Sequence, residues 1–144
     1  MTGIGVKQLA HVCVLTHDLK AAEQFYCEVL GLKKAFNFTR QGGKIGFYLE
    51  TGTRTFIEVF SNPKAPFHQQ QGQVDHLCLE VTNLDQALQV LRQHGIEIRD
   101  DQKKKGVDET WQAWIKDPSG TKIELFEYTA KSAQFIGGDC EANW

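Results

Sequence analysis

Residues 73–88 read QVDHLCLEVTNLDQAL, which sets His76 just inside an apolar strand that runs into a helix. Residues 8–26, QLAHVCVLTHDLKAAEQFY, do nearly the same with His11. The two stretches are copies of one pattern. H-V-C-V follows from His11 and H-L-C-L from His76, with Leu19 and Leu84, then Ala22 and Ala87, at matching distances downstream. Each copy closes on nearly the same four residues, IEVF at 57–60 and IELF at 123–126. The offset is 65 residues between the histidines and 66 between Glu58 and Glu124. A repeat of that kind means one supersecondary unit used twice.

Within each copy the hydrophobic period changes in the same order. KQLAHVCVL is apolar on alternate and intervening positions alike, the pattern of a strand covered on both faces. DLKAAEQFYCEVLG then puts Leu19, Ala22, Tyr26, Val29 and Leu30 on one helical stripe, with Asp18 suited to the N-cap and Gly31 to the stop. LKKAFNFTR, KIGFYLE after the turn QGG, and RTFIEVF read as strands. The second copy gives VDHLCLEV, a helix from Leu84 to His94 between Asn83 and Gly95, then IEIRD, TWQAWIK and TKIELFEY, the last two joined by DPSG. The expected architecture is α+β, two β-α-β-β-β modules at residues 7–61 and 74–129. At 144 residues the chain has room for one compact domain, or for two small subdomains sharing a core. SNPKAPFHQQQGQ reads as the linker, and residues 130–144 as a tail without usable periodicity.

Alternation fixes which side chains share a face. Glu58 falls with Phe56 and Phe60, and Glu124 with Phe126; His11 falls with Leu9, Cys13 and Leu15, and His76 with Val74 and Cys78. A carboxylate on an apolar face carries a large desolvation cost unless it is paired or coordinated. A lone histidine on a strand is ordinarily a core or surface residue. A lone glutamate in such a run ordinarily faces solvent, which is the expectation for Glu80 and Glu127. The mirrored placement of two histidines and two glutamates points instead to a divalent metal held by His11, Glu58, His76 and Glu124. That mixed N/O set suits Ni²⁺, Co²⁺, Zn²⁺, Mn²⁺ or Fe²⁺ and leaves octahedral positions open for water or substrate, the mark of a catalytic site. Such an ion would polarise paired substrate oxygens while a carboxylate moves a proton.

Bulk properties narrow the class further. In 144 residues a formal net charge of −2 gives no electrostatic case for nucleic acid or an anionic membrane, and the one basic run, Lys103 to Lys105, reads as a solvated loop. No apolar run reaches membrane-spanning length, and MTGIGVKQLA lacks a signal peptide's apolar core. Cys13, Cys27, Cys78 and Cys140 form no C-x-x-C pair, and Cys13 and Cys78 read as small hydrophobes inside strands. A reduced, cytoplasmic protein is expected.

The paired modules, with HVCVLTHDLKAAEQFYCEVLGL, VDHLCLEV and KDPSGTKIELFE, resemble the vicinal oxygen chelate superfamily of glyoxalases, bleomycin-resistance proteins and extradiol dioxygenases. The likeness covers residues 5–129. The quartet of two histidines and two glutamates is similar to that of glyoxalase I, the lactoylglutathione lyases. The resemblance implies a single glyoxalase-like domain over residues 5–129, whose curved sheets enclose a metal site, and a metal-dependent lyase or isomerase. It would act through an enediolate on an α-hydroxycarbonyl or hemithioacetal. It further implies Glu124 first, and Glu58 second, as proton shuttle, Asn62 and Lys104 or Lys105 as glutathione contacts, and a homodimer whose ligands come from one chain or from two. One departure stands out. Where glyoxalase I carries an arginine four residues after its first histidine, this chain has Leu15, followed by Thr16 and His17. A charge-assisted contact worth about 1.5–3 kcal/mol is thereby lost to glutathione. Two alternatives follow. One is another enzyme of the group, an epimerase or dioxygenase on a non-glutathione substrate. The other is a small-molecule binding protein of the bleomycin-resistance kind, for which Phe36, Phe38, Phe47, Trp111 and Trp114 would line the pocket.

Overall fold

The computed structural model describes residues 7–62, 74–99 and 101–142. The chain divides into two compact units, Met1–His68 and Gln69–Trp144. The first runs β1 (His11–Thr16), α1 (Leu19–Glu23) with a π-helical continuation over Gln24–Val29, β2 (Lys33–Arg40), β3 (Gly43–Gly52) and β4 (Thr55–Ser61). The second runs β5 (Leu77–Glu80), α2 (Leu84–Gln93), β6 (Lys104–Lys105), β7 (Trp111–Lys116) and β8 (Lys122–Glu127), followed by the short α3 (Ala133–Ile136). Both sheets have one topology: order β1-β4-β3-β2 in the first and β5-β8-β7-β6 in the second, with the first and last strands of each unit parallel. The architecture is α+β, with a β-α-β-β-β order in each unit, as the repeat predicts.

The helices start where the sequence marks them. Asp18 Oδ1 accepts from Ala21 N–H and Asn83 Oδ1 from Gln86 N–H, so one orphan donor of each first turn is satisfied by its N-cap. They stop at Gly31 and Gly95, both with φ near +75° (72° and 77°), where a side chain would be strained. Beyond Glu23 the first helix widens, and Leu30 N–H bonds Phe25 O five residues back. The wider turn brings the adjacent Phe25 and Tyr26 into the core together, a burial that a 3.6-residue stripe does not predict for Phe25.

One face of each sheet carries the core. Val14, Phe47, Leu49, Ile57 and Val59 pack with Ala22, Phe25 and Tyr26 in the first unit; Ala113, Ile115, Ile123 and Leu125 pack with Leu84, Leu88 and Leu91 in the second. The other face holds the alternating set: His11, Tyr48, Phe56, Glu58 and Phe60 in the first unit, and His76, Trp114, Glu124 and Phe126 in the second.

Four expectations are corrected by the structure. IEIRD is not a strand in its described part: residues 96–99 run as coil, with Ile98 buried and its carbonyl accepting from Arg92 Nε, and the strand that follows α2 in the second unit is Lys104–Lys105 instead. Apolar alternation there reflects packing against α2, not a ladder. The strand β1 is covered on one face only, since Val14 and Thr16 are buried while His11, Cys13 and Leu15 are exposed. Cys13 and Cys78 are exposed rather than packed as core hydrophobes, because they lie on that second face. Glu127 does not face solvent freely: its carboxylate accepts from Leu84 N–H at 2.6 Å, at the N-terminus of α2. The turn DPSG forms as expected, with Asp117 Oδ1 accepting from Ser119 and Thr121 N–H. Of the expected linker, residues 63–73 lie outside the described residues, as does Asp100.

Candidate functional site

Each unit brings one histidine and one glutamate together on its second face. The register that sets β1 against β4 places His11 opposite Phe56 and Cys13 opposite Glu58, which leaves His11 Nε2 3.8 Å from Glu58 Oε2. The same register in the second unit, Cys78 opposite Glu124, leaves His76 Nε2 3.2 Å from Glu124 Oε2. Glu124 is 6% exposed, and burial pushes its carboxyl above the ordinary value, with the His76 imidazole pulling the other way.

Neighbouring groups repeat as well. Tyr48 stands opposite Glu58 on β3, and Trp114 stands opposite Glu124 on β7. The Tyr48 hydroxyl hydrogen-bonds Glu58, and its pKa is raised, by desolvation first and then by the Glu58 charge. The Cys13 thiol donates to Glu58 and the Cys78 thiol to Glu124. Both thiols are pushed up, chiefly by burial and then by the adjacent carboxylate, Cys78 to about 12. Although Cys13 and Cys78 are exposed as residues, each sulfur is turned against its glutamate, and that placement raises the thiol. The two thiols are therefore donors to the glutamates, a role the sequence pattern carried in H-x-C but which reading them as core residues missed.

The remaining candidates are placed as follows. Asn62 lies just past β4, half-buried, with its backbone N–H bonded to Thr16 O. Lys105 pairs with Trp111 across β6 and β7, contacts its ring, and forms an ion pair with Glu109; Trp111 in turn stands opposite Glu127, on the α2 side. Lys104 is opposite Gln112 and Gln112 opposite Phe126, which is the face that carries Glu124. Leu15 shares the His11 face. Of the aromatic candidates, Phe47 is fully buried in the core and Trp111 lies on the α2 side, whereas Phe36 and Phe38 lie on the face of His11 and Glu58, and Trp114 on that of His76 and Glu124.

The donor chemistry fits a divalent cation of mixed N/O preference, two imidazoles and two carboxylates with their lone pairs paired off unit by unit. Among the described residues no group of three or more His, Cys, Asp or Glu stands close enough to hold a metal ion. What each unit offers is one His–Glu pair.

The sequence profile of the glyoxalase/bleomycin resistance protein/dioxygenase superfamily matches residues 8–125. The chain belongs to that superfamily. Within it, the chain is 28% identical over 125 residues to the lactoylglutathione lyase of Salmonella typhimurium, covering 83% of this chain and 92% of that one. It is 25% identical over 130 residues to the uncharacterized protein YaeR of Escherichia coli K12, covering 86% and 98%. The crystal structure of TnmS3, an antibiotic binding protein from Streptomyces sp. CB03234, shares the superfamily fold with a TM-score of 0.69 at 19% identity, covering 88% of this chain and 100% of that chain. Among the described residues no helix is long and apolar enough to cross a membrane.

Proposed function

We propose that this chain is a glyoxalase I-like metalloenzyme, a lyase or isomerase acting through an enediolate on an α-hydroxycarbonyl or hemithioacetal. The observation that carries the reading is the pair of repeat-equivalent His–Glu half-sites, 3.8 Å and 3.2 Å across, each on the second face of its sheet. His11, Glu58, His76 and Glu124 would hold one divalent ion, drawn from one chain or from two chains of a homodimer. A bound ion would supply Lewis-acid stabilisation to paired substrate oxygens. Glu124, buried beside His76, then moves the substrate proton between adjacent carbons, with Glu58 as the second candidate. Lys104, on the face of Glu124, is a better placed lysine for an anionic substrate than Lys105, which is engaged by Glu109 and Trp111. Leu15 removes one anion contact, so the glutathione adduct is the first substrate to test rather than the settled one.

The deciding experiment measures metal content and turnover of the methylglyoxal–glutathione adduct, wild type beside Glu124→Gln. Stoichiometric metal with turnover that falls about 10²–10⁴-fold in the variant supports the reading. Metal without turnover keeps the site and rejects the substrate.

A second reading, a small-molecule binding protein, draws on the first unit's aromatic layer. Phe36 stacks on Tyr48 at 4.7 Å, Phe38 meets Phe60 at 4.9 Å, and Phe56 meets Tyr48 at 5.6 Å. Absence of metal in the purified wild type, together with retention of a planar apolar ligand, would bring it forward.

A further inference from the structure

The two half-sites are not equally built. In the second, the His76 ring is held on three sides. Nδ1 lies 2.8 Å from Asp75 Oδ2, Nε2 lies 3.2 Å from Glu124 Oε2, and Trp114 meets the ring edge-on at 4.6 Å between centroids. Asp75 is itself anchored: Lys122 Nζ donates to the same Oδ2 at 2.8 Å while sitting 5.4 Å over the Trp114 ring. The chain Lys122–Asp75–His76 closes on one small cluster. In the first unit the repeat-equivalent residues are Ala10 for Asp75, Phe56 for Lys122 and Tyr48 for Trp114. The aromatic is retained, and both members of the ion pair are replaced by apolar residues. His11 accordingly has a tilted ring contact to Tyr48 at 5.7 Å and the longer, 3.8 Å approach to Glu58.

A carboxylate can only accept, so the Asp75 contact calls for a proton on Nδ1 and the Glu124 contact for one on Nε2; an ion that takes Nε2 displaces only the second, and Asp75 keeps the ring fixed through Nδ1. Carboxylates in that position orient a metal-ligating imidazole and fix its tautomer, and their loss typically weakens metal binding 10–100-fold. We infer that Asp75, braced by Lys122, is a positioning residue that presets His76 as the leading metal ligand, while His11 completes the site without such support. The inference rests on the metal-binding reading above. Its defining claim concerns the ring itself, before any ion binds.

The test uses full-length protein with ¹⁵N-labelled histidine, metal-free, comparing wild type, Asp75→Ala, Asp75→Asn and Lys122→Met. In the wild type His76 Nδ1 should read as the protonated nitrogen. In Asp75→Ala the Nδ1 signal should move toward the unprotonated position, since Glu124 alone then holds a ring proton on Nε2, with the His11 signals unmoved. Asp75→Asn, whose amide oxygen still accepts, should retain the Nδ1 proton. Zn²⁺ affinity, measured by chelator competition, should fall about 10–100-fold in Asp75→Ala and only a few-fold in Lys122→Met. Unchanged His76 signals in Asp75→Ala would overturn the inference and leave an exposed ion pair. If the wild type binds no Zn²⁺, the metal reading fails, and the ¹⁵N shifts alone then decide whether Asp75 sets the ring.

Discussion

Gly46 shows how tightly the second face of the first sheet is drawn. A Cβ at this position would lie 2.5 Å from Val59 O and 2.6 Å from Phe60 Cδ1, because Gly46 is paired with Phe60 across β3 and β4. The ring can turn, but the carbonyl belongs to the ladder that sets Glu58 against Tyr48. Gly46→Ala is therefore expected to cost about 1–3 kcal/mol, read as a shift in urea midpoint at constant slope. Adding Phe60→Ala relieves only the ring part of the clash, so the double variant should not regain the stability of Phe60→Ala alone. The side chains with ligand chemistry were legible in the sequence because a histidine or glutamate among Leu, Val and Phe breaks an apolar face. Tyr48 and Trp114 were not legible as partners of Glu58 and Glu124. That pairing depends on the registers of β3 on β4 and of β7 on β8, which no local pattern encodes.

The helices are tied to their sheets by charge at identifiable points. At the start of α2 two acceptors serve the first turn, Asn83 for Gln86 N–H and Glu127 for Leu84 N–H. The second comes from β8, 43 residues away in sequence, and so fixes the helix to the strand that carries Glu124. Glu127→Ala should cost about 1 kcal/mol in thermal or urea unfolding, comparable to Asn83→Ala. In the first unit Glu23, the last residue of α1, binds Lys34 of β2 and Lys44 of β3. Lys34 first and then Lys44 hold its carboxyl below the ordinary glutamate value. The folded pKa lies below the unfolded one. Its stabilisation is thus fully present above the ordinary glutamate range and is lost as pH falls through the depressed folded value. With the Glu23 side chain 28% exposed, the effect is on the order of 0.2–1 kcal/mol. The stability gap between wild type and Glu23→Gln should be largest near neutrality and close on acidification. A gap independent of pH would mean that Glu23 acts by packing alone. Caps and stops were readable from Asp18, Asn83, Gly31 and Gly95, whereas the Glu23 and Glu127 ties join residues far apart in sequence and emerge only on folding.

The repeat made the two-unit architecture readable, because each copy carries its own strand, helix and closing IExF. It also misled where the copies diverge. IEIRD has a strand's alternation, but the second unit uses it as packing under α2 and shortens its last-placed strand to Lys104–Lys105. The duplication leaves a question that stoichiometry answers. Each unit supplies one histidine and one glutamate, and two protein ligands rarely suffice for tight retention of a divalent ion, whereas four do. A shared site therefore predicts one ion per chain, lost on removing either half. Independent half-sites predict up to two weak ions, with each variant abolishing only its own. Energies distinguish the cases further. If His11, Glu58, His76 and Glu124 serve one ion, the losses in Zn²⁺ affinity from Glu58→Gln and Glu124→Gln should be strongly non-additive in the double variant. Chelation should also lower the melting temperature of the wild type, because it withdraws binding free energy from the folded state, and should lower that of the double variant much less. Elemental analysis giving one ion per chain, with a non-additive cycle, is the expected result. Two ions per chain with additive losses would separate the half-sites and remove the basis for a shared catalytic centre.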